Sequence, residues 1–166
     1  MHDFEFPASV EALKEPNGLL AMGGDLSPER LLLAYSRGIF PWFSSDEPIL
    51  WWAPDPRAIL EPSEFIVSKS FGKSLKKRGY RLSLNKEFSS VVRACAAPRP
   101  SQEGTWILPS MISAYSALHR LGYAHSIEVW CEDNLIGGLY GVCLGKAFFG
   151  ESMFSVKTDA SKTALA

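Results

Sequence analysis

Apolar positions return with two different periods along this chain. Phe88, Val91, Val92 and Cys95 follow i, i+3, i+4, i+7 spacing, which predicts a helix with one buried face, capped by Asn85. Met111, Tyr115 and Leu118 predict a second helix, begun by Ser110 and stopped by Gly122. Ser27-Pro28-Glu29-Arg30 reads as a third helix start, with serine as N-cap and proline in the first helical position; Leu31, Leu32 and Tyr35 follow, and Gly38 ends it. Ser70 to Arg78 predicts a short basic helix ended by Gly79. Elsewhere the period falls to two. Tyr80, Leu82 and Leu84 predict a short strand, and Ile127, Val129 and Cys131 predict one face of another. Glu132-Asp133-Asn134 then turns the chain into a second strand over Leu135 to Leu144, and Gly145-Lys146 turns it again into Ala147-Phe148-Phe149, so a meander is expected. Asp159 reads as the cap of a final short helix.

Proline and glycine refine this picture. Eight of the eleven prolines lie between Pro7 and Pro62 and none follows Pro109, so the first third should be loop-rich and the last third regular, with a boundary near Leu60-Glu61-Pro62-Ser63. Proline on both sides of Ile49 to Arg57 argues against a central strand or a long helix there. Gly137, Gly138 and Gly141 fall inside one strand. Either a ligand lies against that strand, or the sheet bends to pack on a helix. A length of 166 residues with 46% hydrophobic and 21% charged residues bounds the chain to one ordinary domain, or one with a small appendage. No apolar run reaches membrane-spanning length, and the acidic start Met1 to Pro7 has no secretory pattern. Cys95, Cys131 and Cys143 form no CxxC pair and fit a reducing cytoplasm.

The net charge of −1 conceals an uneven distribution. Residues 66–93 carry eight bases and one acid, whereas residues 1–65 carry four bases and eleven acids. Such a basic island is either a local phosphate-binding patch or a solvated helix face. No P-loop, no GxGxxG after a strand, no GxSxG and no zinc spacing is present; His119 and His125 read as structural or surface residues. Five tryptophans remain: Trp42, Trp51, Trp52, Trp106 and Trp130. They are either a small aromatic core or, in part, a platform for a base. Glu151, between Phe148-Phe149 and Met153-Phe154, is expected to be partly buried and to need a cationic or donor partner.

Seven stretches together resemble the leucyl/phenylalanyl-tRNA–protein transferases: Glu15 to Ser27, Tyr35 to Phe43, Ile49 to Arg57, Glu103 to Ile107, Gly122 to Trp130, Gly137 to Gly141, and Gly150 to Ser155. The resemblance implies an α+β fold. A small N-terminal domain over 1–60 would precede a GNAT-like domain over 61–166 with a mainly antiparallel sheet. It also implies transfer of Leu or Phe, less readily Met, from aminoacyl-tRNA to the N-terminal Arg or Lys of a protein, which creates an N-degron. No cofactor, no metal and no membrane is implied, and a cytoplasmic monomer is expected. Tyr35, Trp42 and Trp106 match aromatics around the terminal adenosine and its amino acid. Met153 and Ser155, beside Gly150, match a side-chain pocket to which Leu139 also contributes, where flexible methionine suits both Leu and Phe. Glu151 matches a carboxylate for the cationic acceptor terminus and is the candidate catalytic group. Lys69, Lys73, Lys76, Lys77 and Arg78 match the acceptor-stem contact. The family continues past Ala166 to an Asp-Cys-Gln motif, so a C-terminal truncation is expected. With it come two alternatives: an inactive relative that binds the acceptor end, or a chain completed by a partner.

Overall fold

The computed structural model describes residues 5–98 and 105–166. Residues 1–4 and 99–104 lie outside the described residues, and with them Glu103 and Gly104 of the stretch Glu103 to Ile107. The fold is α+β with antiparallel sheets. It divides into two compact units, Met1–Ala58 with Pro98–Ala117, and Ile59–Ala97 with Leu118–Ala166.

In the first unit, helix α1 spans Pro28–Ser36, with Ser27 in the cap position and Pro28 opening the first turn. Gly38 stops it. At φ 75° its N–H donates to the Tyr35 carbonyl at 3.1 Å, and the Ile39 N–H donates to the Ala34 carbonyl at 2.9 Å. This paired closure satisfies carbonyls that the last turn would leave open. Leu31, Ala34, Tyr35 and Ile39 are buried. Strands β1 (Leu19–Met22), β2 (Phe40–Pro41) and β3 (Leu50–Trp52) form a sheet in the order β1-β3-β2. The segment expected to hold no central strand therefore supplies one. Its three paired residues fit between Pro48 and Pro54, and the one proline inside the sheet, Pro41, sits on edge strand β2, where a missing donor is tolerated.

In the second unit, helix α2 (Lys69–Arg78) starts on Ser68, whose Oγ accepts the Phe71 N–H at 3.2 Å, and ends on Gly79 in the left-handed region. Strand β4 (Arg81–Leu84) and helix α3 (Phe88–Ala96) follow. Helix α4 (Pro109–Arg120) is counted with the first unit through Ala117 and with the second from Leu118. Strands β5 (Ala124–Cys131), β6 (Asn134–Leu144) and β7 (Ala147–Ser155) and helix α5 (Ala160–Leu165) complete the order. The sheet runs β4-β5-β6-β7, antiparallel throughout. The expected meander is present. Phe88, Val91, Val92 and Cys95 are all buried on α3, as their spacing predicts.

Four caps differ from expectation. Ser27 holds the N-cap position of α1, but its Oγ makes no capping hydrogen bond. Asn85 does not cap α3, which begins only at Phe88. It takes φ 58°, its Oδ1 accepts the Ser126 N–H at 3.0 Å, and its Nδ2 donates to His125 Nδ1 at 2.9 Å. Ser110 lies inside the first turn of α4, which starts at Pro109. Asp159 holds the position before α5, but its carboxylate accepts Ser74 Oγ at 2.7 Å and faces Arg78 Nε at 3.8 Å instead of capping. For Asn85 and Asp159 a tertiary partner outcompetes the local one, because short polar side chains bond whichever backbone or side-chain group is nearest.

The strand glycines are explained by packing within the protein. A Cβ on Gly137 would lie 2.5 Å from Ala160 Cβ, on α5. One on Gly138 would meet the Ile127 carbonyl at 2.8 Å and Val91 of α3 at 3.2 Å. Helix α5 thus leaves no room for a side chain at Gly137, while at Gly138 the β5 backbone and a tightly packed Val91, and at Gly141 the Phe149 carbonyl of β7, occupy the space a Cβ would need. Val129, Ile136, Leu139, Ala160 and Ala164 form the core between the sheet and α5.

Candidate functional site

The aromatics of the first unit divide sharply by exposure. Trp51 is sealed in the core, donating Nε1 to the Gly23 carbonyl at 3.0 Å and packing edge-on against Phe6. Trp42, just past β2, is 50% exposed. It is held by Trp52, whose ring centroid lies 5.5 Å away at 60° and whose Nε1 donates to the Trp42 carbonyl at 2.6 Å. An open indole braced by a second indole presents a flat apolar face on which a planar ring can stack. Tyr35 is buried, and its hydroxyl bonds that of Tyr115 at 2.5 Å, joining α1 to α4 within the unit. Trp106 is half-buried immediately before α4.

The second unit holds the other candidates. On helix α2 the side chains of Lys69, Lys73, Lys76, Lys77 and Arg78 are all exposed, while Phe71, Ser74 and Leu75 are half-buried beneath them. Among the described residues no carboxylate lies within ion-pair distance of any of the four lysines; Arg78 alone faces one, Asp159. The charge is therefore unspent and presented on one helix.

Strand β7 carries Gly150, Glu151, Met153 and Ser155. Its register with β6 slips between Tyr140↔Ser152 and Gly141↔Gly150, so Glu151 is the extra residue of a β-bulge. A bulge re-aims its side chain and frees it from the pleat's alternation. Glu151 is half-buried. Its negative charge reaches Tyr140, whose phenol is pushed far above its ordinary range, first by burial, then by Glu151 and by Cys95. That phenol stays protonated beside the bulge. Leu139 and Met153 are direct cross-strand partners; Leu139 is buried in the core and Met153 is exposed. Ser155 is engaged at the start of α5, donating Oγ to the Lys157 carbonyl at 2.8 Å and accepting the Ser161 N–H at 3.3 Å.

Tyr35, Trp42 and Trp106 therefore share the first unit, and the β7 residues and the basic helix share the second. His119 and His125 are structural: His119 stacks on Phe88 at 4.1 Å and bonds the Ala124 carbonyl through Nδ1, while His125 bonds Asn85. Among the described residues, no three potential metal ligands gather, and no helix is long and apolar enough to cross a membrane.

Sequence reasoning passed over Glu128, the one acid buried among the described residues. Its carboxylate accepts Ser83 Oγ at 2.5 Å, Ser126 Oγ at 2.6 Å, the Glu87 N–H at 3.3 Å and the Lys86 N–H at 3.4 Å. It ties β4 and β5 to the start of α3, where the helix dipole also favours negative charge. Alternation along β5 places Glu128 on the face opposite Ile127 and Val129, so nothing in residue order marks it as buried.

Comparison with known proteins matches both units. A family described as leucyl/phenylalanyl-tRNA protein transferase matches residues 59–166, and its N-terminal domain matches residues 24–55. Proteins named leucyl/phenylalanyl-tRNA–protein transferase are similar along almost the whole chain. That of Nitrosomonas europaea is 61% identical over 163 residues, covering 98% of this chain and 69% of the relative. That of Enterobacter sp. strain 638 is 62% identical over 164 residues, covering 99% and 69%. One from Escherichia coli is 58% identical over 164 residues, again covering 99% and 69%. The fold and these matches define an aminoacyltransferase that draws on tRNA. The chain belongs to the leucyl/phenylalanyl-tRNA protein transferase family.

Proposed function

We propose that this chain moves Leu or Phe, and less readily Met, from aminoacyl-tRNA to the N-terminal Arg or Lys of a protein, creating an N-degron in the cytoplasm and acting as a monomer. The observation that carries this reading is identity of about 60% to named transferases along 98–99% of the chain. Residues 1–60 serve as a small N-terminal domain and residues 61–166 as a GNAT-like one. Trp42, with Trp106, receives the terminal adenosine; Tyr35, matched to the same role in the sequence, is buried against Tyr115 and presents no open face to it. Stacking of this kind is worth about 1–3 kcal/mol per base, and the open face of Trp42 supports it. The unpaired lysines of α2, with Arg78, contact acceptor-stem phosphates. Gly150, Met153 and Ser155 on β7, with Leu139 opposite Met153, line the side-chain pocket. Glu151, re-aimed by its bulge, holds the cationic acceptor terminus and keeps its amine at the ester.

The chemistry asks little of the protein. The neutral α-amine attacks the ester carbonyl, the bond to the ribose oxygen breaks, and the amine's proton passes to that leaving oxygen, so an activated ester becomes an amide. An α-amine with a pKa of about 7.7–8.0 is already partly neutral. Holding amine and ester together supplies about 7–11 kcal/mol in ideal cases.

Incubation with leucyl-tRNA and an Arg-starting peptide tests the reading. Leucyl-peptide should form. Tight binding of charged tRNA without product restricts the protein to binding, and product that forms only with an added second chain assigns it to a complex. Lys73→Ala with Lys76→Ala should weaken tRNA binding and reduce the slope of log K against log salt by about 1.5. An unchanged slope across a salt titration removes α2 from the interface.

A further inference from the structure

The first unit holds a groove that this reading leaves unused. Its volume is about 610 Å³, and it is lined by the 9–14 segment, the stop of α1 at Arg37-Gly38, and the 53–57 loop. Residues 1–65 contain only four cations, Lys14, Arg30, Arg37 and Arg57, against eleven acids. Arg30 pairs with Asp25 at 3.6 Å. The other three all line this groove, and among the described residues none has a carboxylate within ion-pair distance. An acidic segment has gathered its unneutralised cations in one place.

The walls are built before any ligand arrives. Arg57 lies over the Phe40 ring, 4.5 Å from its centroid, which fixes the guanidinium plane and leaves its donor edge available. Arg37 Nη1 donates to the Phe6 carbonyl at 3.3 Å, and the Arg37 carbonyl accepts Ser9 Oγ at 3.3 Å. Asn17 holds the opposite loop by donating Nδ2 to the Asp55 carbonyl at 3.2 Å. Gly18 permits that closure, since at φ 93° a Cβ would stand 2.5 Å from Pro54 Cα. Leu13 and Pro54 add an apolar surface, and Asp55 supplies one acceptor. Two held guanidiniums with the Lys14 ammonium beside them, an apolar contact and a single carboxylate match a nucleotide unit. The cations take the phosphodiester, the apolar surface takes the sugar or base, and the carboxylate takes a hydroxyl or amino group.

We infer that the Lys14–Arg37–Arg57 groove is a second site for the tRNA's phosphodiester backbone, additional to helix α2. The inference rests on the proposed use of aminoacyl-tRNA. Its test uses Lys14→Gln with Arg57→Gln, sparing Arg37 because Arg37 also holds the Phe6 carbonyl. This pair should bind tRNA roughly tenfold more weakly, with a salt slope reduced by about 1.5, at an unchanged melting temperature. Inorganic pyrophosphate, titrated by calorimetry, should lose in this variant a component of binding that the Lys73→Ala with Lys76→Ala chain keeps. Wild-type tRNA affinity and slope in the variant overturn the inference and leave the transferase reading intact. Pyrophosphate bound in the groove by a wild-type chain that ignores tRNA keeps the anion site and overturns both the RNA occupant and the transferase reading. If neither probe binds the wild-type chain, no anion site exists there.

Discussion

Replacing Glu128 by leucine is expected to destabilise the second unit by about 3–5 kcal/mol, the largest effect of any single polar change. Leucine takes up a similar volume, but it strands four donors. The Ser83 and Ser126 hydroxyls and the Lys86 and Glu87 N–H groups all point at the carboxylate. Hydrogen bonds to a charged group are worth about 1.5–3 kcal/mol each, and they are not additive when they share one acceptor. The Ser83 hydroxyl also accepts from Trp130 Nε1 at 2.8 Å, so the disturbance reaches that ring. Glu128→Gln should cost less, about 2 kcal/mol, because the amide oxygen still accepts while its NH₂ confronts donors. Urea unfolding followed by tryptophan fluorescence reads both. A Glu128→Leu midpoint equal to wild type would mean the four bonds contribute nothing beyond what water returns.

Gly137→Val is expected to cost about 3 kcal/mol and to lower the yield of folded protein. The new Cβ would overlap Ala160 Cβ at 2.5 Å and press on the Ala160 carbonyl carbon at 3.0 Å. Backbone cannot rotate away as a side chain can, so α5 must lift off β6 and open the core around Val129, Ile136 and Ala164. Gly137→Ala with Ala160→Gly should recover part of the loss relative to Gly137→Ala alone, because it removes the closer of the two clashes. Thermal melts of the double-mutant cycle measure the recovery. Strict additivity would show that the approach of α5 to β6 is not what requires glycine at 137.

Both predictions concern groups whose importance is hidden at the level of the chain. Glu128 occupies a strand position like any other acid in the sequence; its donors come from Ser83, two residues of the α3 approach and Ser126. The glycines of β6 announced a close approach, yet only the fold identified α5, the β5 backbone and the Phe149 carbonyl as the approaching bodies. Site residues show the same split. The spacing of lysines on α2 was legible because a solvated helix face needs no partner to define it. The bulge at Glu151 was not, since a register slip depends on the neighbouring strand. The bond between Tyr35 and Tyr115 joins residues eighty positions apart, and no local pattern pairs them.

Elements set by local physics were readable from residue order. Helix α1 follows from Ser27-Pro28 and Gly38, α3 from its apolar spacing, and the β5-β6-β7 meander from alternation interrupted by turns. Backbone sterics, capping and side-chain period act within a few residues, so they leave their mark in the string itself. Partner choice does not. Residues 49–57 look hostile to a central strand until β1 and β2 flank three of them, and Asn85 looks like a cap until Ser126 and His125 claim its amide. Hydrogen-bond donors and close-packed surfaces bind whatever distant group the completed fold brings nearest, and that proximity exists only in three dimensions.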